Sequence, residues 1–463
     1  MSTLEYLFKP ASVAVIGASK DPTKLGSVFL KNIIEGGYEG RIYPINPKAK
    51  EIMGLKAFPS ILDLSGVDLA VIATPARNVL HALEECIQSN VKTAVIFSSG
   101  FGEVSETGEK AEKDLVSLAR SAGLRFVGPN TVGIFCSSSA LHAMMPDIGI
   151  KRGKTSLVSQ SGNVGSQMLH RGSELGIGFN MFASSGNEAD LHCEDYIEYF
   201  RQEPETRVIV AYIEGLRDAR KFLETAKRTT TEKPIIALKG GETETGAGVV
   251  KSHTGTLAGS GQIYNAALKQ SGIIKAETIE ELHDFTLAFS SNLYPKNRRI
   301  AVLTRGGGWG VIAADASEQA GLELPEIPAE IITQLNRILP PYWNKKNPID
   351  TVMASGFTLM IEILDIVGRW SDVDGLIILG GFGAYFAKIW HERDIEKVSS
   401  KIIELSCSKV IFAVSFTLDQ SSRPVQLLRE NNIPLYHDVN RAIIAYSKLV
   451  EYQQHVAMGG TKG

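Results

Sequence analysis

Cysteine is scarce in this chain: four residues in 463, Cys86, Cys136, Cys193 and Cys407, with no CxxC spacing among them. That argues against a disulfide framework or a cysteine zinc cage and fits a reducing, cytoplasmic setting. A surplus of either charge is also lacking. Lys and Arg number 48 against 51 Asp and Glu, a net charge of −3. Nucleic-acid binding, which relies on an excess of basic side chains, is therefore not expected. The longest apolar run, 376–387, stops at Lys388, short of the ~18 residues that would read as a membrane span. The N-terminal stretch carries Glu5 where a secretory leader would be basic, and residues 13–16 read as a strand.

Glycine, by contrast, is abundant, 44 of 463 residues against an average near ~7%. The excess predicts many tight strand-to-helix turns. The length is about three times that of a typical ~150-residue domain. Short, uninterrupted apolar runs recur throughout, as in strands buried on both faces of a parallel sheet. They fall in three series: 12–16, 41–45, 68–74, 92–98 and 124–128; then 155–159, 179–184, 207–214 and 234–239; then 299–304, 375–380, 409–414 and 434–436. Amphipathic stretches such as 106–122 and 218–228 separate them. This rhythm predicts an α/β chain of three open parallel-sheet domains, at 1–145, 150–293 and 298–455. In such sheets ligands bind beyond the C-terminal strand ends, so the strand-end loops hold the candidate chemistry.

Gly17-Ala18-Ser19 follows the first strand like the opening of a dinucleotide fold, but GxGxxG is incomplete, with Ser19 and Pro22 in place of glycines. A dehydrogenase would also place an acid after the second strand to hold the ribose diol. Here the chain has Asn46-Pro47-Lys48, and a lysine suits a phosphate such as that of the 3′-phospho-ADP end of coenzyme A (CoA). Thr74-Pro75-Ala76 and Ser98-Ser99-Gly100 lie at the same edge and extend the same groove. In the second series, Ser159-Gln160-Ser161-Gly162-Asn163-Val164-Gly165 leaves backbone N–H groups free at a helix start, an anion site. Gly153-Lys154-Thr155 imitates the end of a P-loop, but Ile148 stands where glycine is needed and a strand follows. Glycine turns recur in the third series at 305–310 and 380–383. The least ordinary segment is a long glycine- and threonine-rich loop, 240–259, bearing His253. A neutral imidazole attacks phosphoryl groups well, and a carboxylate on its Nδ1–H would leave Nε2 to react. Glu214, at a strand end in Tyr212-Ile213-Glu214-Gly215, is placed to supply that carboxylate.

Lys251-Ser252-His253-Thr254-Gly255-Thr256-Leu257-Ala258-Gly259 resembles the phosphohistidine loop of the α subunits of NDP-forming acyl-CoA synthetases, the succinyl-CoA synthetase superfamily, and most closely the ADP-forming acetyl-CoA synthetases. Gly128-Pro129-Asn130 resembles the end of that family's CoA-binding domain. Ser161-Gly162-Asn163 and Gly381-Phe382-Gly383 resemble its two phosphate-binding helix starts. The resemblance implies a Rossmann-like CoA-binding domain followed by two flavodoxin-like domains. It also implies conversion of acyl-CoA, phosphate and ADP to acid, ATP and CoA through a phosphohistidine at His253, with Asn130 among the CoA-binding residues. ADP/ATP with Mg²⁺ would sit on a β subunit carrying an ATP-grasp domain, in an α2β2 heterotetramer. Thr131 stands where the family often has Cys. The alternatives are a non-catalytic CoA-binding regulatory module of the same fold and the synthetase-like part of a protein acetyltransferase.

Overall fold

Alternate residues of each apolar run bury on opposite faces of a sheet, which is why the runs carry no polar beat. In the first sheet Val13, Val15, Leu69 and Val71 pack on one face against Phe29, Leu30 and Ile33. Ala14, Ile16, Ala70 and Ile72 pack on the other against Val79, Leu83, Leu115 and Ala119. The computed structural model describes residues 3–145, 148–254, 261–291, 293–352, 356–382, 390–417, 419 and 421–459, the side chains of 251–254 and 261–263 excepted.

The strands in chain order are β1 Ser12–Ile16, β2 Arg41–Ile45, β3 Glu51–Ile52, β4 Leu55–Lys56, β5 Leu69–Ile72, β6 Thr93–Ile96 and β7 Arg125–Val127. Then come β8 Gly133–Cys136, β9 Leu141–Met144, β10 Arg152–Ser159, β11 Phe179–Ser184, β12 Val208–Ile213, β13 Ile235–Lys239 and β14 Ile274–Ala276. The last are β15 Ile300–Thr304, β16 Ile349–Asp350, β17 Gly375–Leu379, β18 Val410–Val414 and β19 Leu435–Tyr436. They form three main sheets, ordered β2-β1-β5-β6-β7, β14-β13-β12-β10-β11-β8-β9 and β16-β15-β17-β18-β19. The first and third are parallel throughout, as the apolar runs predict. The second has an antiparallel margin, since β8 runs against β11 and β9 against β8.

Two expected boundaries shift. Residues 133–144 complete the second sheet, not the first, because Gly133–Cys136 is fully buried along the edge of β11. The chain divides into two units, 1–173 with 178–277, and 174–177 with 278–463. The helix Ile279–Phe289 therefore belongs with the third sheet, where Asp284 takes both Nε (2.6 Å) and an Nη (2.8 Å) of Arg441. A third expectation also changes. The stretch from Glu244 to Thr254 is a helix, not a loop. Thr243 Oγ1 accepts from Gly246 N at 3.0 Å, and Glu244 sits in the first turn. A side-chain cap and an acid at the positive end of the helix dipole offset the cost of two internal glycines.

Within the first unit, the two sheets are fastened through Asp190 in the loop after β11. Its fully buried carboxylate accepts from Arg120 Nε (2.7 Å), Arg125 Nε (2.8 Å) and Phe126 N (3.0 Å). A buried carboxylate is tolerated when its charge is met in this way.

Candidate functional site

The C-terminal edge of the first sheet gathers the residues expected to form the CoA groove. Gly17 ends β1 at φ +93, and a Cβ there would stand 2.6 Å from Ala73 O. Only glycine admits both that backbone and that approach. Asn46 ties two of the loops. Its Nδ2 donates to Ala18 O at 2.7 Å, and its Oδ1 accepts from Lys48 N and Ala49 N, each at 2.9 Å. Lys48 is exposed after Pro47 at this edge, and no ion pair to it is found among the described residues. Ser98 Oγ donates to Thr74 O, and Asn130 N to Ser98 O at 3.0 Å. The turn Thr74-Pro75-Ala76 and the exposed Ser99-Gly100 continue the rim. The thirteen expected residues thus share one strand-end edge, cross-linked loop to loop.

Thr131 is buried, and its hydroxyl donates to Ser184 O and accepts from Gly133 N at 2.9 Å. Where the resembled family often has a thiol, this chain has a staple between β11 and the segment entering β8.

The second site lies on adjacent strand ends of the second sheet. After β10, Ser161 and Gly162 open the helix Gly162–Leu175, with Asn163 exposed in its first turn. A Cβ on Gly162 would lie 2.5 Å from Val132. Glu214 follows β12 and is buried at 7% exposure. The Tyr212 phenol is pushed up to about 12 by its burial and by the adjacent Glu214 carboxylate. Lys239, the last residue of β13, donates from Nζ to Glu214 O at 2.8 Å and to Gly240 O, with the Tyr264 ring 4.8 Å away. Burial lowers its pKa. Val250, in the helix that carries His253 in its last turn, packs close to Gly241. The side chain of His253 lies outside the described residues.

Four residues that sequence reasoning left without a role belong here. Gln160, inside the quoted turn, donates from Nε2 to Glu188 Oε2 (2.8 Å) and Gly215 O (2.7 Å), while its Oε1 accepts from Gly215 N (2.9 Å) and Glu214 N. Glu188 is 3% exposed, and burial raises its carboxyl to about 7. Asn187 donates from Nδ2 to Glu103 Oε2 (2.6 Å) and Glu112 Oε2 (3.0 Å). Burial would raise Glu103, but bonds from Gly100 N, Asn187 and Phe101 N bring it below the usual carboxylate range. Only Gln160 sat within a recognisable motif.

In the other unit Gly381, at φ +91, and the fully buried Phe382 follow β17, where Ser415 Oγ donates to Phe382 O at 3.2 Å. Gly383 lies outside the described residues. The neighbouring glycine turn opens the helix Gly307–Gln319 from Gly306.

Residues 11–137 match the CoA binding domain family, and residues 152–289 match the succinyl-CoA ligase like flavodoxin domain family. The chain is 38% identical to the acetate–CoA ligase [ADP-forming] II subunit alpha of Pyrococcus furiosus, over 99% of this chain and 100% of that one. It is 36% identical to the acetate–CoA ligase [ADP-forming] I of Archaeoglobus fulgidus, over 97% of this chain but 64% of that one. Among solved structures, the dinucleotide forming acetyl-coenzyme A synthetase 1 of Ca. Korarchaeum cryptofilum, in complex with phosphate and ADP, superposes with a TM-score of 0.92 at 36% identity, covering 99% of this chain and 98% of that one. The sheet order, the strand-end sites and these matches together place the chain in the family of α subunits of the ADP-forming acetate–CoA ligases.

Proposed function

We propose that this chain is the α subunit of an ADP-forming acyl-CoA synthetase, with acetyl-CoA as its reference substrate. The observation that carries this reading is the arrangement of β10, β12 and β13. Their adjacent ends hold, in order, the anion-binding turn at Ser161–Asn163, the Glu214 carboxylate and the start of the segment leading to His253. Phosphate held on the turn attacks the thioester carbonyl of acyl-CoA. The carbon–sulfur bond breaks, CoA leaves as the thiol, and an acyl phosphate forms. His253 Nε2 then attacks phosphorus, releasing the carboxylate and forming a phosphohistidine, and ADP takes the phosphoryl group to become ATP. Glu214 accepts the Nδ1–H bond of His253 and offsets the charge that develops on the ring. Backbone N–H groups at the start of the helix Gly162–Leu175 stabilise the phosphoryl oxygens. Asn46, Lys48, Thr74, Ser98 and Asn130 line the CoA groove, and Lys48 meets the 3′-phosphate. The Gly381–Phe382 turn serves as a second phosphate-binding helix start.

The nucleotide and Mg²⁺ bind on a second polypeptide with an ATP-grasp domain, in an α2β2 assembly. Two facts support a partner. The Pyrococcus relative is named a subunit alpha, whereas this chain spans about two thirds of the Archaeoglobus relative, which extends beyond it. The test is ATP formation from acetyl-CoA, phosphate and ADP by the chain alone, by the chain with its complementary subunit, and by His253→Ala with that subunit. Activity is expected only in the second mixture, while His253→Ala still binds CoA. ATP formation by His253→Ala near the wild-type rate refutes the histidine assignment, and robust ATP formation by the chain alone refutes the two-subunit reading.

A further inference from the structure

The parallel ladder between β10 and β12 ends at the pair Ser159–Tyr212, followed by a bond from Gln160 N to Tyr212 O at 3.1 Å. Beyond that point no backbone of β10 faces the Glu214–Gly215 turn, because the chain turns away into the helix Gly162–Leu175. The Gln160 side chain takes over. Its oxygen accepts from both Glu214 N and Gly215 N, and its nitrogen donates to Gly215 O at 2.7 Å. The remaining N–H reaches Glu188 Oε2 at 2.8 Å. A primary amide has two donors and two acceptor lone pairs, and all four are used here. Rotating either the amide or the turn breaks several bonds at once.

Glu188 is itself held in place from the first sheet. It takes a left-handed backbone, φ +51, between Asn187 N donating to Pro129 O (3.0 Å) and Ala189 N donating to Gly128 O (3.2 Å). The Asn187 amide accepts from Asn130 Nδ2 at 3.2 Å and donates to Glu103 and Glu112. Glu103 in turn accepts from Gly100 N and Phe101 N, at the rim of the CoA groove. A continuous chain of hydrogen bonds and covalent neighbours therefore runs from Gly100 to Glu214.

We propose that Gln160 is a positioning residue for Glu214: its amide extends the β10–β12 ladder by side chain, fixes the Glu214–Gly215 turn beside the anion-binding turn, and anchors both to the CoA-groove loop through Glu188. The inference rests on the reading of Glu214 as the carboxylate that orients His253, so its test includes a readout that needs no turnover. Amide hydrogen exchange of 212–216 is measured on the full chain, wild type and Gln160→Ala, without substrates. The complete two-subunit enzyme supplies kcat and KM, and calorimetry gives CoA affinity. Gln160→Ala is expected to raise exchange at Glu214 and Gly215, within that stretch, at least about tenfold, since those two amides lose their acceptor. It should lower kcat by about 100-fold, the cost of a misplaced reacting group, with CoA affinity within about twofold of wild type.

Gln160→Glu replaces the donating nitrogen with an oxygen facing Glu188 Oε2 and Gly215 O, and should be as slow as Gln160→Ala. Adding Glu188→Gln restores a donor opposite the introduced carboxylate and should recover about tenfold of the lost kcat. That rescue separates positioning from misfolding, because a merely unfolded Gln160→Glu would not be mended by a second polar change. Unchanged exchange at 212–216 in Gln160→Ala overturns the clamp whatever the activity. Loosened exchange with unchanged kcat overturns the positioning role. An inactive wild-type complex would count against the proposed function, while the exchange comparison would still decide the clamp.

Discussion

Replacing Glu188 with glutamine should remove one identifiable component of the pH dependence of stability. The Glu188 carboxyl is buried in the loop after β11, where desolvation raises it from an ordinary 4.5 to about 7. Bonds from Ser185 and Gln160 and the charge of His192 pull the other way, and Glu194 adds to the rise. A group whose folded pKa is raised contributes stability that is complete below its unfolded pKa and lost as pH rises through the folded one. Here the window runs from 4.5 to about 7. At ~1.4 kcal/mol per unit, a shift of this size corresponds to about 3 kcal/mol lost across it. Glutamine keeps an oxygen for Gln160 Nε2 to reach but cannot ionise. The free-energy difference between wild type and Glu188→Gln should therefore fall, in the wild type's disfavour, by about 3 kcal/mol from pH 4.5 to 8. Urea unfolding followed by pulse proteolysis of the first unit would measure it. An internal control is available, because all four tryptophans, Trp309, Trp343, Trp370 and Trp390, lie in the second unit. Where the two units unfold in separate transitions, tryptophan fluorescence should report pH profiles that do not differ between the two proteins. A wild-type-minus-variant difference that stays flat with pH for the first unit would refute the reasoning.

Lys48→Ala should weaken CoA about tenfold, in line with the loss of one charge-assisted contact, and leave dephospho-CoA nearly unaffected; equal weakening of both by calorimetry would place the lysine away from the 3′-phosphate. Glu214→Gln should slow phosphoryl transfer about 100-fold with little change in melting temperature, because the amide keeps the side chain's shape. A variant that changes melting but not the rate of histidine phosphorylation would assign Glu214 a structural role only.

The strands and strand-end loops were legible because they depend on local chemistry. A short β-branched apolar run such as 13–16, closed by Gly17, favours a strand buried on both faces followed by a tight turn. The eleven-residue helix at Glu244–Thr254 looks like a loop in the sequence because glycine and threonine lower helix propensity. Its Thr243 cap and tertiary packing override that local signal. The sheet membership of Gly133–Cys136 was likewise hidden. A short apolar edge strand can pair on either side of a domain boundary, and its partner, β11, lies more than forty residues away.

The residues joining the two sites were the least legible, for a different reason. Glu214 and His253 stand out because a carboxylate and an imidazole carry recognisable chemistry wherever they occur. Gln160, Asn187 and Glu103 act through where their amides and oxygens reach, and that depends on loops from two sheets meeting. No periodicity or spacing encodes such a meeting. The turn at Ser161–Asn163 shows the consequence. Ser161, Gly162 and Asn163 stand out in the sequence for the backbone they leave free, while the glutamine before them carries no such signal. Yet on the proposed reading the anion held at Ser161–Asn163 reaches His253 only if the turn bearing Glu214 keeps its distance from them, and the Gln160 side chain spans that distance with three hydrogen bonds to the turn and a fourth to Glu188. In a site built on adjacent strand ends, the ladder aligns the strands only as far as their last paired residues. Where reacting groups sit one or two residues further on, a side chain that imitates backbone must continue the alignment, and an amide, with a donor and an acceptor side by side, is the group that can do so.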